Sequence, residues 1–242
     1  MTPPEEINIG DGEIVHCPRN ALWIAQRTDE RFAVLLSKVF TFNEPPRLNV
    51  HIATSNTEAG RSVARELFGR LEKAVQQATS YRGKVLSLES SDSYSGEGVG
   101  IKVHSLPSVR REDVILPAET LGLVERNALD FAGRRSRLRT LGQSTRKGLL
   151  FHGPPGNGKT YTIRYLIGAL KGHTTLLITG AQLGQLAEYL ALARLLQPSL
   201  VVIEDVDLIA KVRARSGTPC EEPLLNQLLN EMDGLGPDSE II

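Results

Sequence analysis

The sequence predicts an α/β protein in which a parallel sheet flanked by helices follows a smaller α+β module. Three observations predict it. From Leu121 onward, apolar runs of strand length alternate with longer helix-forming segments, the pattern of a parallel sheet covered on both faces. The glycine-rich stretch Gly153–Thr160, GPPGNGKT, stands between one such apolar run and a helix. Upstream, Ser90–Gly100 (SSDSYSGEGVG) breaks the composition with a Ser/Gly-rich loop that has little to pack.

Within residues 1–110, read as the α+β module, Ala21–Ala25 and Phe32–Phe40 are strand-like and joined by the polar turn Gln26–Arg31. Leu48–Ala53 follows the strand-stopping Pro45-Pro46. Over Ser62–Thr79, Val63, Leu67, Leu71, Val75 and Ala78 recur three or four apart, the spacing of an amphipathic helix. Lys84–Leu88 reads as a further strand.

Residues 111–242 carry the alternating pattern. Val124–Leu141 reads as helix with Gly142 as its C-cap. Gly148–His152 is a short apolar strand, Gly158–Leu170 a helix ended by Gly172, and Thr174–Thr179 a β-branched strand. Gln182–Leu196 is an apolar helix closed by Pro198, and Leu200–Ile203 a buried strand. Pro223 suits the first turn of a helix that groups Leu224, Leu225, Leu228, Leu229 and Met232.

The 242 residues are 40% apolar, enough for two modest cores. With 28 basic and 28 acidic side chains, the balance argues against a coat for nucleic acid or an anionic membrane. Cys17 and Cys220 form no CxxC pair, so neither a disulfide framework nor a thiolate metal site is expected. The N-terminus lacks a basic start and an apolar core, which excludes a signal peptide. No run approaches the ~18 apolar residues that span a bilayer. A soluble, cytoplasmic chain is expected.

GPPGNGKT satisfies GxxxxGK[ST] in the strand-then-helix setting the motif requires. By chance it arises in on the order of one chain in a hundred of this size. Gly153, Gly156 and Gly158 let consecutive N–H groups face one cavity at a helix N-terminus, where free donors and the dipole favour phosphate. Pro154, Pro155, Asn157 and the following Tyr161 complete the expected binding set. Lys159 can reach β- and γ-phosphates, and the Thr160 hydroxyl can ligate Mg²⁺. The second element is Leu200–Asp207, LVVIEDVD: a buried strand that delivers Glu204 and Asp205 to its C-terminal end, where ligands of open α/β sheets collect. Such charges are costly there without a partner, and Mg²⁺–nucleotide supplies one.

GPPGNGKT, then VVIEDVD, then LLNQLLNEMDGL resembles the AAA family of P-loop ATPases over Val114–Ile242. The resemblance implies an AAA large subdomain, ATP and Mg²⁺ as ligands, and hydrolysis coupled to remodelling of a protein partner. It also implies a hexameric ring and an N-terminal recognition domain. Glu204 falls where the family has the Asp that holds Mg²⁺ through water, and Asp205 where it has the Glu that polarises the attacking water. Lys159, Glu204 and Asp205 are the implied catalytic residues. The Glu-Asp order is swapped; an Asp base would stand about 1.5 Å further back from the water. The same order occurs in the branch that resembles mitochondrial respiratory-complex assembly chaperones.

Tyr189 falls inside a helical pattern, so a packing role is preferred to gripping a threaded polypeptide. By resemblance, Val114–Pro117 leads the chain past the adenine. The family's sheet order, 5-1-4-3-2, would begin its fourth strand at Glu240-Ile241-Ile242, so a fragment lacking that strand's polar tip, the arginine fingers and the lid is expected. Arg134, Arg135, Arg137 and Arg139 read as a solvated face. His51, His104, His152 and His173 read as isolated, His152 as a packing residue, and His16 beside Cys17 as structural. Two rival readings stand beside the ATPase: a nucleotide-dependent interaction module that does not hydrolyse, and a nucleic-acid motor or clamp-loader relative.

Overall fold

A computed structural model describes residues 4–10, 12–27, 29–39, 47–89, 100–204, 230, 233, 234, 236 and 238–242. Asp205, Cys220, the 90–99 loop, Pro45-Pro46 and the helix expected after Pro223 lie outside these residues. The chain forms two compact units, residues 1–80 with 88–102 and residues 81–87 with 103–242.

In the first unit β1 (Glu5–Gly10) and β2 (Glu13–Cys17) form an antiparallel hairpin. β3 (Ala21–Arg27), β4 (Glu30–Val39) and β5 (Arg47–Thr54) form an antiparallel sheet in which Val34 faces Trp23 on one side and Ile52 on the other. Helix α1 (Glu58–Gln77) packs against β4 and β5. It begins four residues before the apolar spacing suggests because Thr57 caps it, its hydroxyl accepting from Gly60 N at 3.0 Å. The Thr57 hydroxyl also donates to Glu30 at 3.0 Å, which ties the cap to β4.

A further sheet has the order β7-β6-β8-β9, with β6 (Val85–Glu89), β7 (Gly100–His104), β8 (Thr174–Ile178) and β9 (Ser199–Ile203); residues 85–87, 103 and 104, and all of β8 and β9, belong to the second unit. The β6–β8 and β8–β9 pairs are parallel. The strand read at Lys84–Leu88 therefore belongs to the ladder of this sheet, with Val85 opposite Thr175. On the other side of β9, Ser199 N donates to Glu240 O, Val201 N to Ile242 O, and Lys147 N to Ile241 O. Glu240–Ile242 thus lies between β9 and the segment that leads to the glycine-rich loop.

That leading segment corrects one expectation. Gly148–His152 is assigned to no strand among the described residues. Apolar character alone does not make a strand; a ladder needs partner N–H and C=O groups along its length, and the contact from Lys147 to Ile241 stops one residue short of this stretch.

Helices cover both faces. On one, α5 (Lys159–Ala169) contributes Ile163 and Ile167 to a cluster around Leu170, Leu200, Val202 and Ile242. On the other, a 3₁₀ turn (Gly180–Gln185) leads into α6 (Leu186–Leu195), which packs on β8 and β9. Tyr189 on α6 is fully buried, as a packing role requires. Leu176 and Ile178 are also fully buried, each worth about 1.5–3 kcal/mol by burial alone.

The helix expected at Val124–Leu141 starts earlier and is not uniform. α2 (Ala118–Glu125) passes through a π-helical stretch (Arg126–Asp130) into the single turn α3 (Phe131–Gly133) and then α4 (Arg135–Thr140). Pro117, at the N-cap, opens α2, since its missing N–H would find no partner there. Gly142 ends the run at φ +65°, with Gln143 N donating to Leu138 O at 2.9 Å, so the expected C-cap holds.

Candidate functional site

The turn from Gly153 to Gly158 has left-handed or positive-φ backbone at the positions the sequence motif requires: Gly153 at +156°, Gly156 at +81° and Gly158 at +77°. Gly158 is the N-cap of α5 and supplies the αL residue directly before Lys159; a Cβ there would strain the backbone. Thr162 fixes the first turn, its N and its hydroxyl both donating to Gly158 O at 2.8 and 3.0 Å. Pro154, Pro155, Gly156, Asn157 and Thr160 are exposed, and Tyr161 is 42% exposed. The Lys159 ammonium folds back into the loop, donating to Gly153 O at 2.7 Å and Pro154 O at 2.8 Å.

Beside the loop opens a cleft of about 380 Å³, within the range of roughly 300–1,000 Å³ typical of small-ligand pockets. Its walls combine Asn157, Lys159, Thr162 and His152 with Leu149, Leu150 and Phe151, and on the far side Leu116, Thr120, Leu123, Val124 and Asn127. Thr120, Leu123, Val124 and Asn127 fall three and four apart and so share one helical face. His152 is exposed and lines this cleft, which corrects its reading as a packing residue. Leu116 also lines it, whereas the neighbouring Val114 is buried and Ile115 is 95% exposed.

Beneath the α2 wall, Val114, Leu121, Ala128, Tyr165 and Leu166 form a core cluster. Tyr165 of α5 donates its hydroxyl to Glu125 at 2.7 Å, and Arg111 donates to both oxygens of the same carboxylate at 2.6 and 3.0 Å. Arg111, then Tyr165, hold the Glu125 carboxyl below the usual range, while burial first and Glu125 second push the Tyr165 phenol up to about 12. None of this triad was singled out from sequence. It pins the end of α2 to the helix that follows the loop.

Glu204 directly follows β9, half-buried, with its N donating to Ile178 O at 2.9 Å. The strand thus carries it to the C-terminal edge of the sheet, as expected. The arginine cluster is not one solvated face. Arg135 is 4% exposed, donating Nε to Thr145 O at 3.1 Å and Nη1 to His173 at 2.9 Å. Arg139 pairs with Glu240. Nor are the histidines isolated: His173 accepts from Arg135, and His104 Nε2 lies 2.7 Å from Ser87 Oγ. Among the described residues no group of three or more His, Cys, Asp or Glu could hold a metal ion, and no helix is long and apolar enough to cross a membrane.

The family described as "ATPase family associated with various cellular activities (AAA)" matches residues 149–242. This segment, under half of the chain, is similar to an AAA family domain. The match takes in the glycine-rich loop, α5, β8, α6 and β9, so the loop and the parallel β8–β9 pair fall within the matched segment, while β6 and β7 precede it. Among curated relatives, the ATP-dependent zinc metalloprotease FtsH 1 of Methylacidiphilum infernorum is 34% identical over 47% of this chain and 20% of its own length. The FtsH 2 of Symbiobacterium thermophilum is 33% identical over 47% of this chain and 22% of its own. The proteasome-activating nucleotidase of Methanosphaerula palustris is 29% identical over 61% of this chain and 39% of its own. The chain therefore spans between a fifth and two-fifths of these relatives. They support the AAA domain and lend nothing to a place in the respiratory-complex assembly branch.

Proposed function

We propose that this chain binds ATP with Mg²⁺ in the cleft beside Gly153–Thr160. The observation that carries the reading is the lining: an apolar wall from α2 and the glycine-loop lysine face the same cavity. A base suits the first and a phosphate chain the second.

The chain's own groups then take distinct tasks. The loop amides and the α5 N-terminus cradle anionic oxygens. Lys159, whose ammonium now serves Gly153 O and Pro154 O, exchanges neutral carbonyls for charged oxygens, which make the stronger hydrogen bonds. Thr160 and Glu204 supply oxygen donors suited to Mg²⁺. Mg²⁺, when bound, neutralises charge that develops on the phosphates. Asp205 orients the attacking water. In the whole protein, turnover is coupled to remodelling of a protein partner within a homo-oligomer, residues 1–110 selecting the partner. Membership of the branch with a Glu-Asp order rests on Glu204-Asp205 alone.

A second reading keeps nucleotide binding without hydrolysis, favoured by the shorter Asp205 at the water-polarising position. The arginine cluster gives a nucleic-acid reading little support, because Arg135 is buried and Arg139 is paired. The metal assignment is tested by measuring ATP affinity with Mg²⁺ and with EDTA. Glu204→Gln should shrink the Mg²⁺-dependent gain by about tenfold while leaving the metal-free affinity in place. An undiminished gain would remove Glu204 from the Mg²⁺ site.

A further inference from the structure

Helix α1 carries more apolar surface than the sheet beneath it covers. Gly60 is buried, and Val63 and Leu67 are half-buried, on the flank that packs against β4 and β5. Beside that flank runs a second row, Ala64, Phe68, Leu71 and Val75, at intervals of four, three and four, the spacing of a coiled-coil seam. Phe68, Leu71 and Val75 are 46%, 39% and 46% exposed, and every residue from Leu71 to Thr79 is exposed. Glu66 pairs with Arg27 of β3 from the opposite flank, so the row points away from β3. The charges beside the row show what fits it. Arg65 and Glu72 border it on the solvent side, whereas Arg70 and Glu66 lie on the far flank and pair with each other at 2.9 Å. Arg65 is 72% exposed and gives Nη2 to Glu58 at 2.8 Å, one of the five donors of a guanidinium.

We infer that this row of α1 is a self-association surface whose partner is the same row of a second copy, set antiparallel. The four-three-four spacing reads the same in both directions, so an antiparallel pair matches it to itself, as an isologous contact requires. Phe68 then meets Leu71 of the second copy at the centre, and the small Ala64 meets the larger Val75 at each end. The same register brings Arg65 of each copy to Glu72 of the other, which makes two opposite-charge pairs. A parallel pair in register stacks each residue on its equivalent and sets Arg65 and Glu72 beside Gly60 and Leu67, with no opposite charge to meet. The row spans about 17 Å, so the contact belongs to the small, weak class of interfaces. It lies wholly in the first unit and depends neither on the nucleotide reading nor on any assembly through the second unit.

The test is sedimentation velocity of the full chain without nucleotide, over about 5 to 300 µM, a range suited to a weak interface. The unaltered chain should pass from monomer to dimer as concentration rises. Arg65→Glu alone places carboxylates against carboxylates across the contact, and Glu72→Arg alone places guanidiniums against guanidiniums. With two attractive pairs turned repulsive, each variant should dimerise about tenfold more weakly. Mixed in equal amounts, the two variants regain both opposite-charge pairs in a heterodimer, which should form as readily as the unaltered dimer. An unaltered chain that stays monomeric throughout overturns the inference, as does a mixture that associates no better than the separate variants. A dimer that neither substitution weakens overturns it too, because another surface then holds the copies together. If circular dichroism shows that a charge variant has not folded, Val75→Ser at the exposed end of the row takes its place. Its dimer should weaken by about tenfold, and an unchanged dimer overturns the inference.

Discussion

Arg135 shows what a single buried charge requires of its surroundings. The guanidinium is 4% exposed and meets Thr145 O, the His173 ring and the Phe131 face, whose centroid is 5.8 Å from its central carbon. Because arginine only donates, His173 Nε2 must accept, and the ring must be neutral. Burial first, then Arg135, lower the His173 pKa from its ordinary value, with Glu240 opposing more weakly. The sign follows. An unfolded histidine titrates near about 6.5, and the folded ring takes up its proton only at lower pH, so its contribution to stability is full above that range. As pH falls, the unfolded chain binds the proton first and stability is lost. Thermal unfolding from pH 7.5 to 5 should therefore show an acid-side fall that is smaller in His173→Gln, whose amide oxygen still accepts from Arg135. Equal falls in both chains would show that His173 does not carry the effect.

Elements obey local signals where the signals are local, and α1 gives a sharp case. A Cβ on Gly60 would stand 2.2 Å from Ser55 O, a backbone atom that cannot rotate away, whereas one on Gly69 meets nothing within 4 Å. Gly60→Ala should destabilise the first unit by about 1–3 kcal/mol through overpacking. Gly69→Ala, in the same helix, should stabilise it by about 0.5–1 kcal/mol by removing backbone freedom. Denaturant midpoints of the two variants check this; a neutral Gly60→Ala would mean that the helix start can shift to make room. Most elements were legible: β3, β4, β5, β6, β8 and β9 are found within a few residues of the apolar runs that announce them. The β1–β2 hairpin was passed over although Asp11-Gly12 is a turn signal. β7 escaped because Gly100–His104 emerges from a Ser/Gly-rich stretch. The strand expected at Gly148–His152 failed for a non-local reason, since pairing depends on residues far along the chain. The glycine-rich loop was readable because each glycine answers a backbone demand. Asn127 and the Arg111–Glu125–Tyr165 triad were not, because a π-helical register and contacts up to 40 positions apart leave no periodic trace.

At the scale of the whole molecule, the second unit contains the segment that matches the AAA family and every described wall of the cleft. Its sheet carries Glu204 to the C-terminal edge and its α5 presents the loop. The first unit has its own antiparallel sheet and helix, and none of its described residues lines the cleft. The central claim is that the cleft beside Lys159 is a nucleotide site. It is tested most directly by equilibrium titration of the chain with a ribose-labelled fluorescent ATP analogue, repeated with Lys159→Ala. Saturable binding that unlabelled ATP displaces, and that Lys159→Ala weakens by about a hundredfold or more, is the predicted result. Unchanged affinity in Lys159→Ala, or no saturable binding by the unaltered chain, would contradict it.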